Sequence, residues 1–306
     1  MSGATIDLRP SSRLHYVAIA VLIAASIAVQ LVRDRGWAPF VPPDPTMWLQ
    51  SGRVADRVFL GYKNLVADVY WMRAVVYYGG RRHHSTAQQE SGAAPTANFA
   101  QLYTLLDLVT TLDPHFKVAY RFGAIFLADA YPAGPGRPDL AIALLQRGIE
   151  RDSARWEYME DIGFIYYWWL KDFQKAAEWF KRGGEEPGAP SWLAPLAATT
   201  LAEGGNRQGS RLLWTQLANS DIDWLRRDAA FRLQQLDAMD TIAQLTPVLR
   251  RFVERERRYP GSWEELAQAE GLPRVPTDPT GVRFFFDPKV GYIDVSPKST
   301  LWPLPQ

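Results

Sequence analysis

One motif occurs twice in the middle of the chain, and its two copies are 35 residues apart. The repeated residues are Ala141, Arg147 and Gly148, which recur as Ala176, Arg182 and Gly183. A fixed period near this length is typical of helix–turn–helix repeats, which bury their apolar faces only against neighbouring copies. The stretch from 140 to 187 therefore predicts an array of paired helices, and it indicates a scaffold much more strongly than any chemistry.

Apolar periodicity and turn signals divide residues 64–220 into paired helices. The predicted helices are 64–78, 99–112, 116–130, 140–151, 156–170, 173–183, 189–203 and 206–219. Gly79 and Gly80 are expected to end the first helix, and residues 80–97 are expected to form a polar loop with exposed His83 and His84. Residues 221–258 are expected to form two amphipathic helices that cap the array.

Small and large residues alternate in these pairs at fixed offsets. On the first helix of a pair, a small residue precedes a large one by three positions. The examples are Gly123/Phe126, Gly163/Tyr166 and Ala198/Leu201. On the second helix, alanine, a large residue and a small residue follow one another, as in Ala141/Leu145/Gly148 and Ala176/Phe180/Gly183. Small residues let two helices approach, and large ones fill the joint between them.

In this spacing the pairs resemble tetratricopeptide repeats over residues 60–220. The resemblance implies a helical-repeat solenoid whose groove binds a protein or peptide, and an unrelated all-α domain is the alternative. The inner surface of such arrays is lined by the first helix of each pair. The partner-binding candidates on these helices are Tyr120, Arg121, Phe122, Tyr158, Asp161, Tyr166 and Tyr167. Packing between helices is an alternative explanation for each aromatic candidate.

The segment Leu14–Val32 contains no Asp, Glu, Lys or Arg. At about 1.5 Å per residue it crosses a hydrocarbon core of about 30 Å. We therefore expect a polar tail (1–13), a transmembrane helix (14–32) and a proline-rich linker (33–63) before the repeats. A cleaved signal peptide, with Ser26-Ile27-Ala28 as its cleavage site, is the alternative. A short tail before a single span favours a cytoplasmic N-terminus, which would place the bulk of the chain in the periplasm of a bacterium, anchored in the inner membrane.

The last segment, 259–306, changes character at Tyr259-Pro260. Ser262 is a plausible N-cap for a short helix around Trp263, and Val282–Phe286 and Tyr292–Val295 read as the strands of a hairpin. Over about 40 residues this tail resembles the C-terminal region of the major pseudopilin of type II secretion systems. The methylation motif of that family is absent, so filament assembly is not implied.

Three aspartates in the tail raise the question of calcium, which the pseudopilin family binds in its C-terminal loop. Asp278, Asp287 and Asp294 offer carboxylates, but their spacing matches no compact loop. Turn formation next to proline is the simpler interpretation. A second acidic group consists of Glu157, Glu160 and Asp161, at the start of a predicted helix. Attraction to the positive end of the helix dipole explains these residues more simply than acid–base catalysis does.

Composition gives few signs of chemistry. The 34 Lys and Arg residues balance 33 Asp and Glu residues, so nothing indicates a nucleic-acid partner. Cysteine is absent, which excludes disulfides and thiol catalysis, and the common nucleotide, hydrolase and zinc-protease motifs are missing. We therefore expect neither an enzyme nor a cofactor or metal, but a mainly α, membrane-anchored scaffold for protein–protein interaction. The pseudopilin-like tail suggests envelope, secretion or pilus assembly. A self-associating structural subunit, or an envelope enzyme with a site between the repeats and the tail, are the alternatives.

Overall fold

The computed structural model describes residues 12–36, 60–92 and 98–305. Over these ranges the chain is mainly helical, with one small sheet near the C-terminus. The helices are α1 (Ser12–Gly36), α2 (Lys63–Glu90), α3 (Leu102–Leu112), α4 (Lys117–Ala128), α5 (Pro138–Arg151), α6 (Trp156–Ile165), α7 (Phe173–Gly184), α8 (Leu193–Glu203), α9 (Arg207–Leu217), α10 (Asp223–Glu256) and α11 (Trp263–Glu270). The strands are β1 (Phe285–Asp287) and β2 (Tyr292–Asp294). A 3₁₀ turn, Leu60–Tyr62, precedes α2, and a π-helical turn, Tyr166–Leu170, extends α6.

Helix α1 is long and apolar enough to cross a membrane. Its window Tyr16–Arg33 has a mean hydropathy of 2.0, and none of it is buried against the rest of the chain. This confirms a candidate membrane-spanning helix where the sequence predicts one, although a signal sequence has the same properties. Most of the predicted tail, 1–13, and of the predicted linker, 33–63, lies outside the described residues.

From α2 to α10, each helix packs against the next one along the chain. Glycines at the repeat positions lie where this packing is closest. A Cβ added to Gly163 on α6 would lie 2.4 Å from the ring of Phe180 on α7. A Cβ added to Gly148 on α5 would lie 2.9 Å from the ring of Tyr158. Small residues at the repeat positions therefore do admit a large ring at the joints between helices, as the sequence analysis expects in general terms, although these particular contacts were not named there.

Helix α2 does not end at Gly79 and Gly80, and the prediction of a loop over residues 80–97 was wrong. The helix continues to Glu90, so His83 and His84 lie on a helix, and residues 93–97 lie outside the described ranges. Tertiary contacts hold its second half. Ser85 is buried and its hydroxyl donates to the Pro132 carbonyl at 2.6 Å. A mid-helix glycine costs only about 1 kcal/mol, which such contacts offset.

The predicted pair of capping helices is a single helix, α10, which contains Pro247 in its interior. No helix-breaking residue separates the two apolar stripes, so the helix runs through both. Its N-terminal half packs with Trp214 of α9, while its C-terminal half packs with α11 and the hairpin. Helix α10 therefore belongs to two hydrophobic clusters.

The C-terminal tail has the predicted short helix and hairpin. The Ser262 hydroxyl accepts a hydrogen bond from the Glu265 amide, which caps α11, and β1 pairs with β2 in antiparallel register. The indole of Trp263 donates to the Phe284 carbonyl at 2.8 Å. Asp278 accepts amide hydrogen bonds from Thr280 and Val282, as a turn-forming aspartate does.

Candidate functional site

The first helices of successive pairs lie side by side. Phe126 of α4 stacks on Tyr78 of α2 with ring centroids 4.3 Å apart, and it also stacks on Trp71. The Tyr78 hydroxyl donates to Asp129 just beyond α4 at 2.6 Å. Burial and this hydrogen bond raise the pKa of Tyr78 to about 12. Aromatic and polar contacts thus fix α4 against α2.

On its opposite edge, α4 is joined to α6 by charged side chains. Arg121 donates from Nε to Asp161 at 2.5 Å and from Nη2 to the same carboxylate at 2.6 Å. Arg121 Nη2 also donates to Glu160 at 3.1 Å, and Lys117 pairs with Glu157. We call these five residues the α4–α6 cluster. A two-point guanidinium–carboxylate contact fixes geometry as well as charge, so the cluster sets how α4 and α6 align.

The α4–α6 cluster has two cations and three carboxylates. Burial raises the pKa of Asp161, and Arg121 offsets this only in part. Burial also raises the pKa of Glu160. Burial acts on Glu157 in the same direction, but the hydrogen bond from Lys117, a backbone hydrogen bond and the charges of Lys117 and Arg155 together outweigh it and leave the pKa of Glu157 below its usual value. The cluster therefore carries an excess of negative charge that is poorly solvated at Glu160 and Asp161.

Two of the seven candidates do not line a surface. Tyr120 and Tyr158 are buried, and their rings lie 5.3 Å apart in the joint around Gly148. The physical reason is that Gly148 leaves a space that only a large ring fills. Packing between helices, the alternative explanation given by the sequence, accounts for both residues.

Tyr166 and Tyr167 lie on the π-helical turn that ends α6 and are both half-buried. The Tyr167 hydroxyl donates to Glu203 at the end of α8 at 2.6 Å, and this hydrogen bond raises the pKa of Tyr167 to about 12. Tyr166 packs between two hydrophobic clusters, with the Lys175 ammonium 5.4 Å from its ring centre. Both tyrosines join neighbouring helices, and their exposed edges are small.

Phe122 is the candidate that faces solvent. It lies on α4 with Val118 and Ile125 at the spacing i, i+4, i+7 that places side chains on one helix face. These three side chains are between 44% and 53% exposed. Phe126 borders them on the α2 side and Arg121 on the α6 side. We call Val118, Phe122 and Ile125 the α4 strip.

Sequence reasoning missed Lys117 as well as the pairing role of Glu157 and Glu160. A signal for them exists in the spacing. Arg121 and Asp161 are 40 residues apart, and so are Lys117 and Glu157. The repeat glycines Gly123 and Gly163 have the same separation, so each ion pair joins equivalent positions of consecutive first helices. Opposite charges at equivalent repeat positions are visible without a structure.

A concave region lies between α9, α10 and the hairpin. The sequence analysis placed the site of a hypothetical enzyme here, between the repeats and the tail. It is an open cleft of about 420 Å³ whose ionisable lining residues, among those described, are Arg207, Tyr292 and Asp294. Tyr292 donates to Asp294 at 2.8 Å, which raises the pKa of the tyrosine, and Arg207 pairs with Asp240. Each of these groups already has a partner, and the described lining holds no nucleophile beside a general base.

Comparisons with known proteins add no assignment. No protein-family model matches the chain, and neither the search of characterised proteins nor that of solved structures returned a match. The likeness to tetratricopeptide repeats and to the pseudopilin tail stays a prediction from the residues.

Proposed function

We propose that this protein is a membrane-anchored helical scaffold that binds a partner protein on the α4 strip. The observation that carries the proposal is the exposure of Val118, Phe122 and Ile125 on one face of a helix whose other sides are packed. Continuous apolar surface on a soluble part of a protein is costly in water and is typical of interaction sites. Helix α1 would hold this surface close to a membrane.

The chemistry around the strip defines the partner. Arg121 borders the strip and is already engaged by Asp161 and Glu160, and the α4–α6 cluster keeps one carboxylate in excess. A segment that presents apolar side chains together with a lysine or arginine would match both features. An amphipathic helix laid on a helical groove is a common form of such recognition.

The proposed setting is the bacterial inner membrane, with the helical pairs in the periplasm and the partner in envelope, secretion or pilus assembly. The arguments are the apolar helix α1 and the pseudopilin-like sequence at the C-terminus, a resemblance that associates the chain with the cell envelope.

Site-directed photocrosslinking in native membranes tests the proposal. A photoreactive amino acid at Val118 or Ile125 of the full chain should crosslink one discrete partner, identified by mass spectrometry. Phe122→Glu should reduce that product about tenfold or more, because a central aromatic anchor dominates the energy of such contacts. Leu212→Glu, on the second helix of another pair, changes a residue that is 62% exposed and should leave the product intact.

Equal loss in Phe122→Glu and Leu212→Glu would contradict the role of the α4 strip. So would crosslinking that gives only lipid adducts or scattered products. Circular dichroism of both variants must match that of the parent chain for the comparison to count.

A further inference from the structure

A row of exposed apolar side chains follows α2 and does not belong to the α4 strip. It begins at Tyr62, at the end of the 3₁₀ turn, and continues along the helix at alternating intervals of three and four residues. Its members are Tyr62, Leu65, Val69, Met72 and Val76, which are between 53% and 73% exposed. We call this row the α2 seam.

The α2 seam points away from the body of the protein. The residues of α2 that are buried include Ala67, Tyr70, Ala74 and Tyr77, which occupy the opposite side of the helix. Trp71 faces α4, on a third side. Nothing among the described residues covers the seam, so an approaching helix would meet it without displacing α3 or α4.

Spacing and residue type in the seam match a helix-pairing surface. Alternation of three and four residues is the a/d pattern of a coiled coil. Val69 and Val76 then take a positions, and Leu65 and Met72 take d positions. Within parallel coiled coils, β-branched residues at a with leucine-type residues at d favour two helices over three or four.

Charges beside the seam select the same arrangement. Asp68 falls at a g position and Arg73 at the following e position, and both are exposed. In a parallel pair, the g residue of one helix lies next to the following e residue of the other, so each Asp68 faces an Arg73 of the second copy. Among the described residues, Asp68 has no ion-pair partner within its own chain. Arg73 likewise has no carboxylate partner there, and its guanidinium carbon lies 5.4 Å from the ring centre of Tyr70.

We propose that the α2 seam pairs with the α2 seam of a second copy of this chain, in parallel. The α2 seam is separate from the α4 strip. The parallel direction of pairing rests, like the proposed function, on α1 as a membrane anchor. In two copies anchored by α1 in one membrane, both chains enter α2 from the membrane side, which favours the parallel arrangement. Confinement to the membrane also raises the effective concentration of the two copies for each other. A seam of only two heptads requires this because so short a pair is weak.

The absence of cysteine permits a direct test by disulfide formation in native membranes. Leu65→Cys and Val76→Cys lie near opposite ends of the seam, and Asn64→Cys is an exposed control off the seam. Parallel pairing brings like residues to within disulfide reach, so both seam variants should form a covalent dimer on mild oxidation and the control should not. An antiparallel pair centred on Val69 separates like residues by roughly 20 Å at Val76 and roughly 12 Å at Leu65, both beyond disulfide reach, and gives no such product.

A charge exchange gives a second test, because it asks whether pairing depends on the charges of Asp68 and Arg73. Asp68→Arg and Arg73→Asp should each reduce the crosslinked fraction of the Val76→Cys chain severalfold, because like charges then meet across the pair. The double exchange should restore it. A role of either residue within one chain predicts no such rescue.

Three outcomes would overturn the proposal. One is equal crosslinking of Asn64→Cys and Val76→Cys, which indicates random collision. Another is that Asp68→Arg or Arg73→Asp lowers the crosslinked fraction and the double exchange does not restore it. A third is a seam cysteine that stays monomeric and becomes protected from water-soluble maleimide only when vesicles are present, which would assign the seam to the bilayer surface. None of these depends on the α4 strip, so failure here and failure of the proposed function are distinguishable.

Discussion

Arg121 and Asp161 occupy equivalent positions on consecutive first helices, and each is the main partner of the other. The guanidinium makes two hydrogen bonds to that carboxylate, at 2.5 and 2.6 Å, and a third to Glu160. Both acidic side chains are only 11% exposed. Alignment of α4 with α6, and therefore the position of the α4 strip, depends on this contact.

Removal of the guanidinium should destabilise the helical pairs strongly. Arg121→Met keeps much of the volume of the side chain but leaves Asp161 and Glu160 buried without a cation. Loss of one partner of a buried pair costs about 3–5 kcal/mol, whereas an exposed pair contributes less than about 1 kcal/mol. Chemical denaturation of the full chain in detergent, followed by circular dichroism, measures the difference. Arg137→Met, which breaks the exposed Arg137–Asp139 pair, is the control.

Neutralisation of Glu160 should have the opposite effect at neutral pH. The folded state raises the pKa of this carboxyl above its value of 4.5 in the unfolded chain, so the folded state holds the proton more tightly. The stability that this provides is complete below about pH 4.5 and is lost as pH rises through the folded-state pKa. Glu160→Gln keeps an acceptor for Arg121 and should raise the unfolding midpoint at pH 7. The gain over the parent chain should shrink on acidification, and a gain that is constant with pH would contradict the assignment.

The joint at Gly163 should not tolerate a methyl group. A Cβ there would lie 2.4 Å from the ring of Phe180, which is itself completely buried. Overpacking of this kind costs about 1–3 kcal/mol. Gly79→Ala, on α2, is the matched control, because no atom lies within 4 Å of its added Cβ. That change should stabilise the chain by about 0.5–1 kcal/mol, since alanine loses less entropy in a helix. Thermal unfolding of both variants separates the two effects.

A buried glutamine connects α10 to the end of the chain. Gln235 donates from Nε2 to the Leu301 carbonyl at 2.9 Å and to the Pro303 carbonyl at 3.0 Å. Gln235→Ala leaves these carbonyls without a donor, which should cost about 1–3 kcal/mol. Hydrogen exchange over residues 296–305 should accelerate in this variant. Gln234→Ala changes the exposed neighbour and should leave exchange unaltered.

Sequence reasoning succeeded where a local signal and a tertiary contact agree. Repeat spacing selected Gly163 as a small joint residue and Phe180 as a large one, and the two lie in the same joint; Ser262 caps α11 as its position three residues before Glu265 predicts. Reasoning failed where tertiary packing overrides local preference. The Gly79–Gly80 pair reads as a stop, yet the contacts of Tyr78 and Ser85 continue the helix across it.

Among the candidate residues, the sequence identified the helices but not the orientation of the side chains. Arg121, Phe122 and Asp161 were selected together with Tyr120 and Tyr158, and only the three-dimensional packing separates the exposed ring from the buried ones. A helix that packs on three sides buries most of its circumference. Membership of a first helix therefore predicts exposure poorly. The i, i+4, i+7 spacing of Val118, Phe122 and Ile125 would by itself predict a buried stripe, so their exposure is known only from the structure.

Helix α10 spans roughly 50 Å at 1.5 Å per residue. Its N-terminal half contributes Leu236 to the hydrophobic cluster around Trp214, and its C-terminal half contributes Leu249 to the cluster formed with α11 and the hairpin. Tension applied to the C-terminal hairpin would therefore travel along one helix into the paired helices, and Pro247, which removes one backbone hydrogen bond, marks the point where that helix bends most easily.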